Sequence, residues 1–197
     1  MRRISIFGKA FLAAAMLVLS LGTISCKEKP ETDTEEVAED QNEAKFDNNE
    51  EKEDDSDYLV FAAETDLEEI DLGKLALTKS ANGDVKSLAQ MMIDQHTKSA
   101  AETKKLAEAK NISLPASTTE DGKEAFNDLN KKTGADFDKK YAQMMVDGHE
   151  KAISKMEKAA DKANDPEIRA WAANMIPTLQ THLEHAKLAK EKIDAVK

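Results

Sequence analysis

The sequence predicts an all-α fold of four long helices, with a long crossover between the second and the third. Three observations favour it. The stretch 57–197 is rich in Ala, Leu, Lys, Glu and Met, and the whole chain has only 7 Gly and 4 Pro, a composition typical of helices. Apolar residues recur every three or four positions, the period of a helix with one buried side. Turn-forming residues interrupt this pattern at 81–83 (Ala-Asn-Gly) and 164–166 (Asn-Asp-Pro).

The first 25 residues are expected to be a signal peptide and not part of the fold. A basic start precedes a short apolar run, 10–25, that ends in small residues, the layout of an export signal. The run is too short for a comfortable membrane span. The only cysteine, Cys26, follows in the context Thr-Ile-Ser-Cys, which resembles the lipobox of bacterial lipoproteins with Thr23 in place of the usual Leu. The resemblance implies cleavage before Cys26 and lipidation of its thiol. The alternative is a free thiol at the end of a discarded signal.

Residues 26–56 are expected to form the lipidated Cys26 and an acidic, disordered tether. The stretch 27–56 has 14 acidic side chains, 4 lysines and almost no large apolar residues. Such a segment cannot bury enough surface to offset its chain entropy. The chain's net charge is −11; with −10 on 27–56 and +3 on residues 1–25, only −4 is left on 57–197. No basic stripe is present, so nucleic acid is not an expected partner.

The helices of the folded part, 57–197, follow in order. The first is expected from about Tyr58 to Ser80 and the second from about Asp84 to Lys110. Residues 111–135 contain Pro115, a Ser/Thr cluster and two glycines, which predicts a crossover with one small helix of its own. The third helix is expected to be capped by Asp136 and to end near Ala163.

The fourth helix is expected to begin at Pro166, where the missing N–H of proline costs nothing. A second proline, Pro177, lies inside this helix and is expected to bend it.

Three of the four histidines fall on the inward stripes of three different helices. His96 belongs to the second helix, His149 to the third and His182 to the fourth. The two octets 89–96 (AQMMIDQH) and 142–149 (AQMMVDGH) place the first two histidines in equivalent positions. Counting residues from the turns at 1.5 Å of rise each brings His96, His149, His182 and Glu69 to similar heights. One layer of the bundle is therefore expected to hold these four side chains.

Such a layer permits two interpretations. One carboxylate and three imidazoles from facing helices suit a transition metal such as iron, zinc or copper. The same side chains could instead form a buried polar network that fixes the register of the helices. The Glu-x-x-His pairs of di-iron proteins are absent, because Ile93 and Val146 stand three residues before the histidines. Neither reading is excluded by the sequence.

Four further residues are candidates for accessory roles. Met92 and Met145 lie one turn before His96 and His149 on the same faces, where thioethers could join imidazoles as soft ligands or simply fill the core. Tyr141 is expected to pack in the core. His185 lies one turn from His182 and off the centre of the stripe.

Six stretches follow one another along the chain: EIDLGKLAL (69–77), MMIDQH (91–96), LP (114–115), FDKKY (137–141), MVDGHE (145–150) and IPTLQTHL (176–183). Together they resemble a bacterial family of domains of unknown function. Its members are often labelled outer membrane proteins and grouped with ferritin-like folds. The resemblance covers about 57–192 and implies a ferritin-like four-helix bundle whose pattern includes Glu69, His96, His149 and His182 but not His185. Gln95 and Ile176 depart slightly from the pattern.

The sequence thus predicts a lipoprotein of the bacterial cell envelope, most simply at the outer membrane. Its core is expected to bind a transition metal for storage, carriage or stress protection. The alternative is a structural or interaction module without enzymatic activity. No nucleophile with a base, phosphate loop or nucleotide motif is recognisable. The expected partner is the membrane, through Cys26; a protein partner is unknown and a homo-oligomer remains open.

Overall fold

The computed structural model describes residues 33–195, and in this range the chain forms six α-helices and no strand. The all-α prediction is confirmed. The expected signal peptide, 1–25, and Cys26 lie outside the described residues. None of the six helices is both long enough and apolar enough to span a membrane. The helices are α1 (Thr34–Phe46), α2 (Glu50–Lys79), α3 (Gly83–Lys110), α4 (Glu120–Asn130), α5 (Gly134–Lys162) and α6 (Pro166–Ala195).

The four long helices pack as two hairpins, α2 with α3 and α5 with α6. The hairpins meet mainly through contacts of α2 with α5 and of α3 with α6, and α3 and α5 also touch across the bundle. The segment between α3 and α5 contains α4, which packs on α2 and α5. The short helix expected in the crossover is therefore confirmed.

Polar residues divide the core into two apolar clusters. One cluster includes Leu72, Met92, Met145 and Ala186. The other includes Ala62, Ala107, Ala152 and Leu179. On each long helix the chain passes from one cluster to the other through buried polar side chains, which are Asp66 and Glu69 on α2, His96 on α3, His149 on α5 and His182 on α6.

The disordered tether expected at 27–56 is wrong for residues 34–56, which form α1 and the start of α2. Its acidic side chains lie mainly on exposed positions, whereas Ala38, Asn42 and Phe46 are buried. Their spacing of four residues puts all three on one side of α1. The amide of Asn42 donates to the carbonyl of Ser113 (3.0 Å), and its oxygen accepts from the Ser113 N–H (2.7 Å). The net charge of the whole segment predicted disorder because it does not register the three buried residues on one side of α1.

Asp55, also within the expected tether, anchors the turn between α5 and α6. Its carboxylate accepts from the backbone N–H of Asn164 at 2.7 Å and from that of Asp165 at 2.6 Å. The side chain is almost fully buried. The first long helix begins at Glu50, eight positions before the expected Tyr58. The added turns are stabilised because they place Asp55 against the turn between α5 and α6.

The other helix limits lie within three residues of their expected positions. Pro166 is the first residue of α6, as expected. Asp136 does not cap α5, because that helix begins at Gly134, whose φ is +56°. Asp136 lies in the first turn instead, where a negative charge still interacts favourably with the helix dipole.

Candidate metal centre

The repeated octet has the same placement on α3 and α5. In each copy the Ala, the second Met and the His are buried, at Ala89, Met92 and His96 and in the equivalent residues of α5. The Gln and Asp of each copy face outward, and the Gln amide donates to the Asp carboxylate (2.9 Å on α3, 2.6 Å on α5). The octet therefore encodes one helical segment with a histidine on its inner side and a polar pair outside.

The three predicted histidines form one buried group. The Nε2 atoms of His96 and His149 are 3.4 Å apart, and Nε2 of His149 lies 3.3 Å from Nδ1 of His182. One nitrogen from each ring lies within 4.8 Å of the other two. Each side chain is at most 4% exposed. The sequence-based prediction that these residues share a level is confirmed.

The spacing of the nitrogens fits a small metal ion. Imidazole nitrogens bind zinc at about 2.0–2.1 Å. Two such ligands at tetrahedral angles are separated by about 3.3–3.4 Å, from the same bond length. Two of the three separations, 3.4 and 3.3 Å, equal this edge, and the nitrogens of His96 and His182 lie within 4.8 Å of each other. Two edges of a tetrahedral site are therefore in place, and closing the third would bring His96 and His182 together around the ion.

Asp66 is the site residue that sequence reasoning missed. Its Oδ1 lies 2.8 Å from Nδ1 of His96, and both side chains are buried. The signal was present in the spacing, because Leu59, Ala62, Asp66 and Glu69 recur at intervals of three or four on α2. Carboxylates that bind the outer nitrogen of a histidine orient the ring and make it a better metal ligand.

The hydrogen bond of His149 fixes which nitrogen carries its proton. Nδ1 lies 2.7 Å from the carbonyl oxygen of Met145. A carbonyl only accepts, so Nδ1 is the donor and a neutral ring leaves a lone pair on Nε2. Nitrogens of His96 and His182 both face this single lone pair, and only one can donate well to it. A metal ion would bind lone pairs of all three rings together.

Burial keeps the three rings neutral. It lowers the pKa of His96 to about 4, and the charge of His96 adds to the effect of burial in lowering the pKa of His149 to about 4. The pKa of His182 falls to about 3, through burial and then through the neighbouring histidines. At neutral pH the rings therefore offer lone pairs rather than positive charges.

Burial acts in the opposite direction on the two carboxyls of α2. It raises the pKa of Asp66 well above its ordinary value, and the hydroxyl of Ser99 partly offsets the rise. It also raises the pKa of Glu69, with Glu68 and Asp66 adding to it. A nearby cation would favour the ionised form of both groups.

Glu69 is close to the histidines but does not join the group of three. Its Oε1 lies 3.6 Å from Nδ1 of His149, on the side of the ring away from His96 and His182. Its Oε2 has no hydrogen-bond partner among the described residues. Gly148 leaves room for the carboxyl, since a Cβ there would lie 3.1 Å from Oε1. The expectation that Glu69 binds a metal directly stays a prediction.

The accessory candidates have separate placements. Met92 and Met145 are fully buried in one apolar cluster, and the contact of Met145 with His149 is made by its backbone. Tyr141 is buried with no hydrogen-bond partner for its hydroxyl among residues 33–195. Burial, and then Glu69, raise its pKa. His185 is exposed and outside the group of three.

The chain is similar to a known protein family. A family model described as a domain of unknown function, DUF4142, matches residues 38–188. No curated protein and no solved structure matches the chain.

Proposed function

Because the chain belongs to the DUF4142 family, a domain of unknown function, its activity must be inferred from its site, and we propose that it binds one transition-metal ion. The ligands are His96, His149 and His182. Asp66 orients His96, and the Met145 carbonyl orients His149. Three neutral imidazoles suit zinc, copper or iron better than calcium or magnesium.

The observation that carries this proposal is the lone pair of His149. Its Nε2 lies 3.4 Å from Nε2 of His96 and 3.3 Å from Nδ1 of His182. Without a cation, one of these buried contacts lacks a hydrogen bond, which is costly in a core. A bound ion removes that cost and uses the orienting bonds of Asp66 and Met145.

A site for one ion favours carriage of the metal or protection against it over bulk storage. We propose that the protein does this as a lipoprotein of the bacterial envelope, anchored through Cys26. The Thr-Ile-Ser-Cys context and the basic, apolar start of the chain support the anchor. The two hairpins and the crossover with α4 support a ferritin-like four-helix bundle as the scaffold.

The alternative is a structural module in which the same layer is a polar network. The contact between Asp66 and His96 supports it, because a protonated Asp66 could donate to Nδ1 and leave the Nε2 proton of His96 for His149. In this network the lone pair of His149 Nε2 is already used by His96, so Nδ1 of His182 has no hydrogen bond to His149.

Metal analysis of a tag-free protein purified without chelators separates the two functions. We expect about one ion per chain, with the content lost in His149→Gln. His185→Gln is the matched control, since His185 is exposed on α6, and it should keep the metal. Metal-free protein that shows no thermal shift with zinc, copper or iron would exclude the metal-binding function and leave the structural one.

A further inference from the structure

A cleft between α3 and α6 reaches two of the three histidines. Its volume is about 520 Å³, and its inner wall includes His96 and His182 but not His149. The outer wall contains the exposed side chains of Asn174 and Thr178 on α6. Solvent therefore has a route to the edge of the histidine group, from the side opposite α2 and α5.

The proposed metal site has an unfilled position. Three protein ligands leave one vertex of a tetrahedral ion open, and such open sites bind water or another small molecule. Among residues 33–195 the group offers three ligands, because Glu69 lies at the outer nitrogen of His149. The lining of the cleft decides what can reach that vertex.

The narrow end of the cleft admits only small molecules. His96 is 2% exposed and His182 is 4% exposed, so a few atoms at most can reach their rings. The rest of the lining offers uncharged donors, the amides of Gln95 and Asn174 and the hydroxyl of Thr178. It also includes charged side chains of both signs, Lys98, Glu102 and Glu167. The amides and the hydroxyl can donate hydrogen bonds to a small ligand, whether it is neutral or charged.

Trp171 provides a further donor without an acceptor. It lines the cleft, and its buried Nε1–H has no hydrogen-bond partner among the described residues. A buried N–H of this kind calls for a partner that the protein does not supply.

We propose that the α3–α6 cleft delivers a small anionic ligand of a few atoms to the open position of the three-histidine metal centre. This inference rests on the proposed function. Three neutral imidazoles add no charge to a divalent ion, and ionised Asp66 and Glu69 would offset only part of its charge from behind the rings. An anion is therefore favoured over a cation at the open position.

Azide is a suitable probe, with tag-free protein loaded with Cu²⁺ and freed of excess metal. Azide bound to Cu²⁺ gives a charge-transfer absorption in the near ultraviolet. We expect this band to saturate at one azide per metal. Thr178→Trp fills the cleft one turn before His182 and should weaken azide binding about tenfold or more, with the metal content unchanged. Asn174→Trp, further out, should weaken it less.

Thr181→Trp is the matched control. Thr181 is the same residue type on the same helix, exposed and outside the cleft, so this variant should bind azide like the unmodified chain. Metal-loaded protein with no azide band would overturn the inference and leave the proposed function standing. Equal azide affinity in Thr178→Trp and Thr181→Trp would also overturn it. Failure to retain Cu²⁺, zinc or iron would overturn both.

Discussion

At the scale of single residues, the central feature is the way protein groups set the proton positions of the histidine rings. Asp66 lies against the outer nitrogen of His96, and the Met145 carbonyl accepts from that of His149. Both contacts turn the remaining nitrogens toward one point. The site is thus defined as much by the groups behind the rings as by the rings themselves.

Replacing Asp66 should therefore weaken metal binding without removing a ligand. In Asp66→Ala we expect metal affinity to fall by about 10–100-fold, the usual effect of losing a carboxylate that orients a histidine. Competition with a chelator of known affinity measures it. Asp94→Ala is the control, because Asp94 is exposed and pairs with Gln90 on the outside of α3. Equal affinities in the two variants would rule out the orienting role.

Acid should destabilise the metal-free protein through His182. Its pKa is about 3 when folded and about 6.5 in an unfolded chain. Between these values the unfolded chain binds a proton that the folded protein does not, so the stabilising effect present above pH 6.5 is lost as the pH falls.

From pH 7 to pH 5 this loss amounts to about 2 kcal/mol for one such group. The chain should therefore lose about 2 kcal/mol more than His182→Gln over that range, measured by urea unfolding with a chelator present. The raised pKa values of Asp66 and Glu69 act in the opposite direction, but both proteins share them. Parallel pH profiles would show that His182 is not held neutral by the fold.

Residue-level prediction succeeded for the histidines and failed for Asp66. The histidines were found because three of them occupy apolar stripes, where a polar residue is conspicuous. On α2 large apolar residues also stand at Ile70 and Leu77, which are only half-buried. The true inner side runs through Asp66 and Glu69, and two acidic residues among many did not stand out. Local spacing also could not show which face of His149 Glu69 would contact.

At the scale of elements, the acidic segment before α2 belongs to the fold. Its net charge suggested disorder, yet α1 and the first turns of α2 bury one residue in four. Composition averages over a segment, whereas folding depends on the side that packs. The turn residues predicted the α2–α3 and α5–α6 hairpins well, because Asn82 caps α3 and Pro166 starts α6.

Truncating Phe46 tests the role of α1. Phe46 is 6% exposed and packs in an apolar cluster with Tyr58 and Ile112. We expect Phe46→Ala to reduce the free energy of unfolding by about 2–4 kcal/mol, somewhat below the usual cost of a buried Phe, because α1 can partly undock. Val37→Ala, 38% exposed on the same helix, should change it by under about 0.5 kcal/mol. Equal free energies of unfolding in the two variants would show that α1 does not contribute to the stability of the fold.

At the scale of the whole molecule, the polar layer lies between two apolar clusters to which all four long helices contribute. Binding at this layer therefore joins α3, α5 and α6 at their midpoints. A ligand that binds only the folded state stabilises that state by mass action. The helical class and the order of the elements followed from sequence patterns; the hydrogen bonds that complete the layer required coordinates.

This coupling predicts a thermal shift. At a free metal concentration about 100 times the Kd, binding should add about 2.7 kcal/mol. That corresponds to a rise of about 5–10 °C in Tm for a domain of this size. Differential scanning calorimetry with zinc should show the rise in the unmodified chain and in His185→Gln but not in His149→Gln. A rise of the same size in His149→Gln would place the binding elsewhere.

The most direct measurement is an anomalous difference map from crystals of the metal-loaded protein, collected at the absorption edge of the bound metal. We predict one peak about 2.0–2.1 Å from Nε2 of His96, Nε2 of His149 and Nδ1 of His182. Peaks confined to surface carboxylates, with the three rings unchanged and no density between them, would contradict the account.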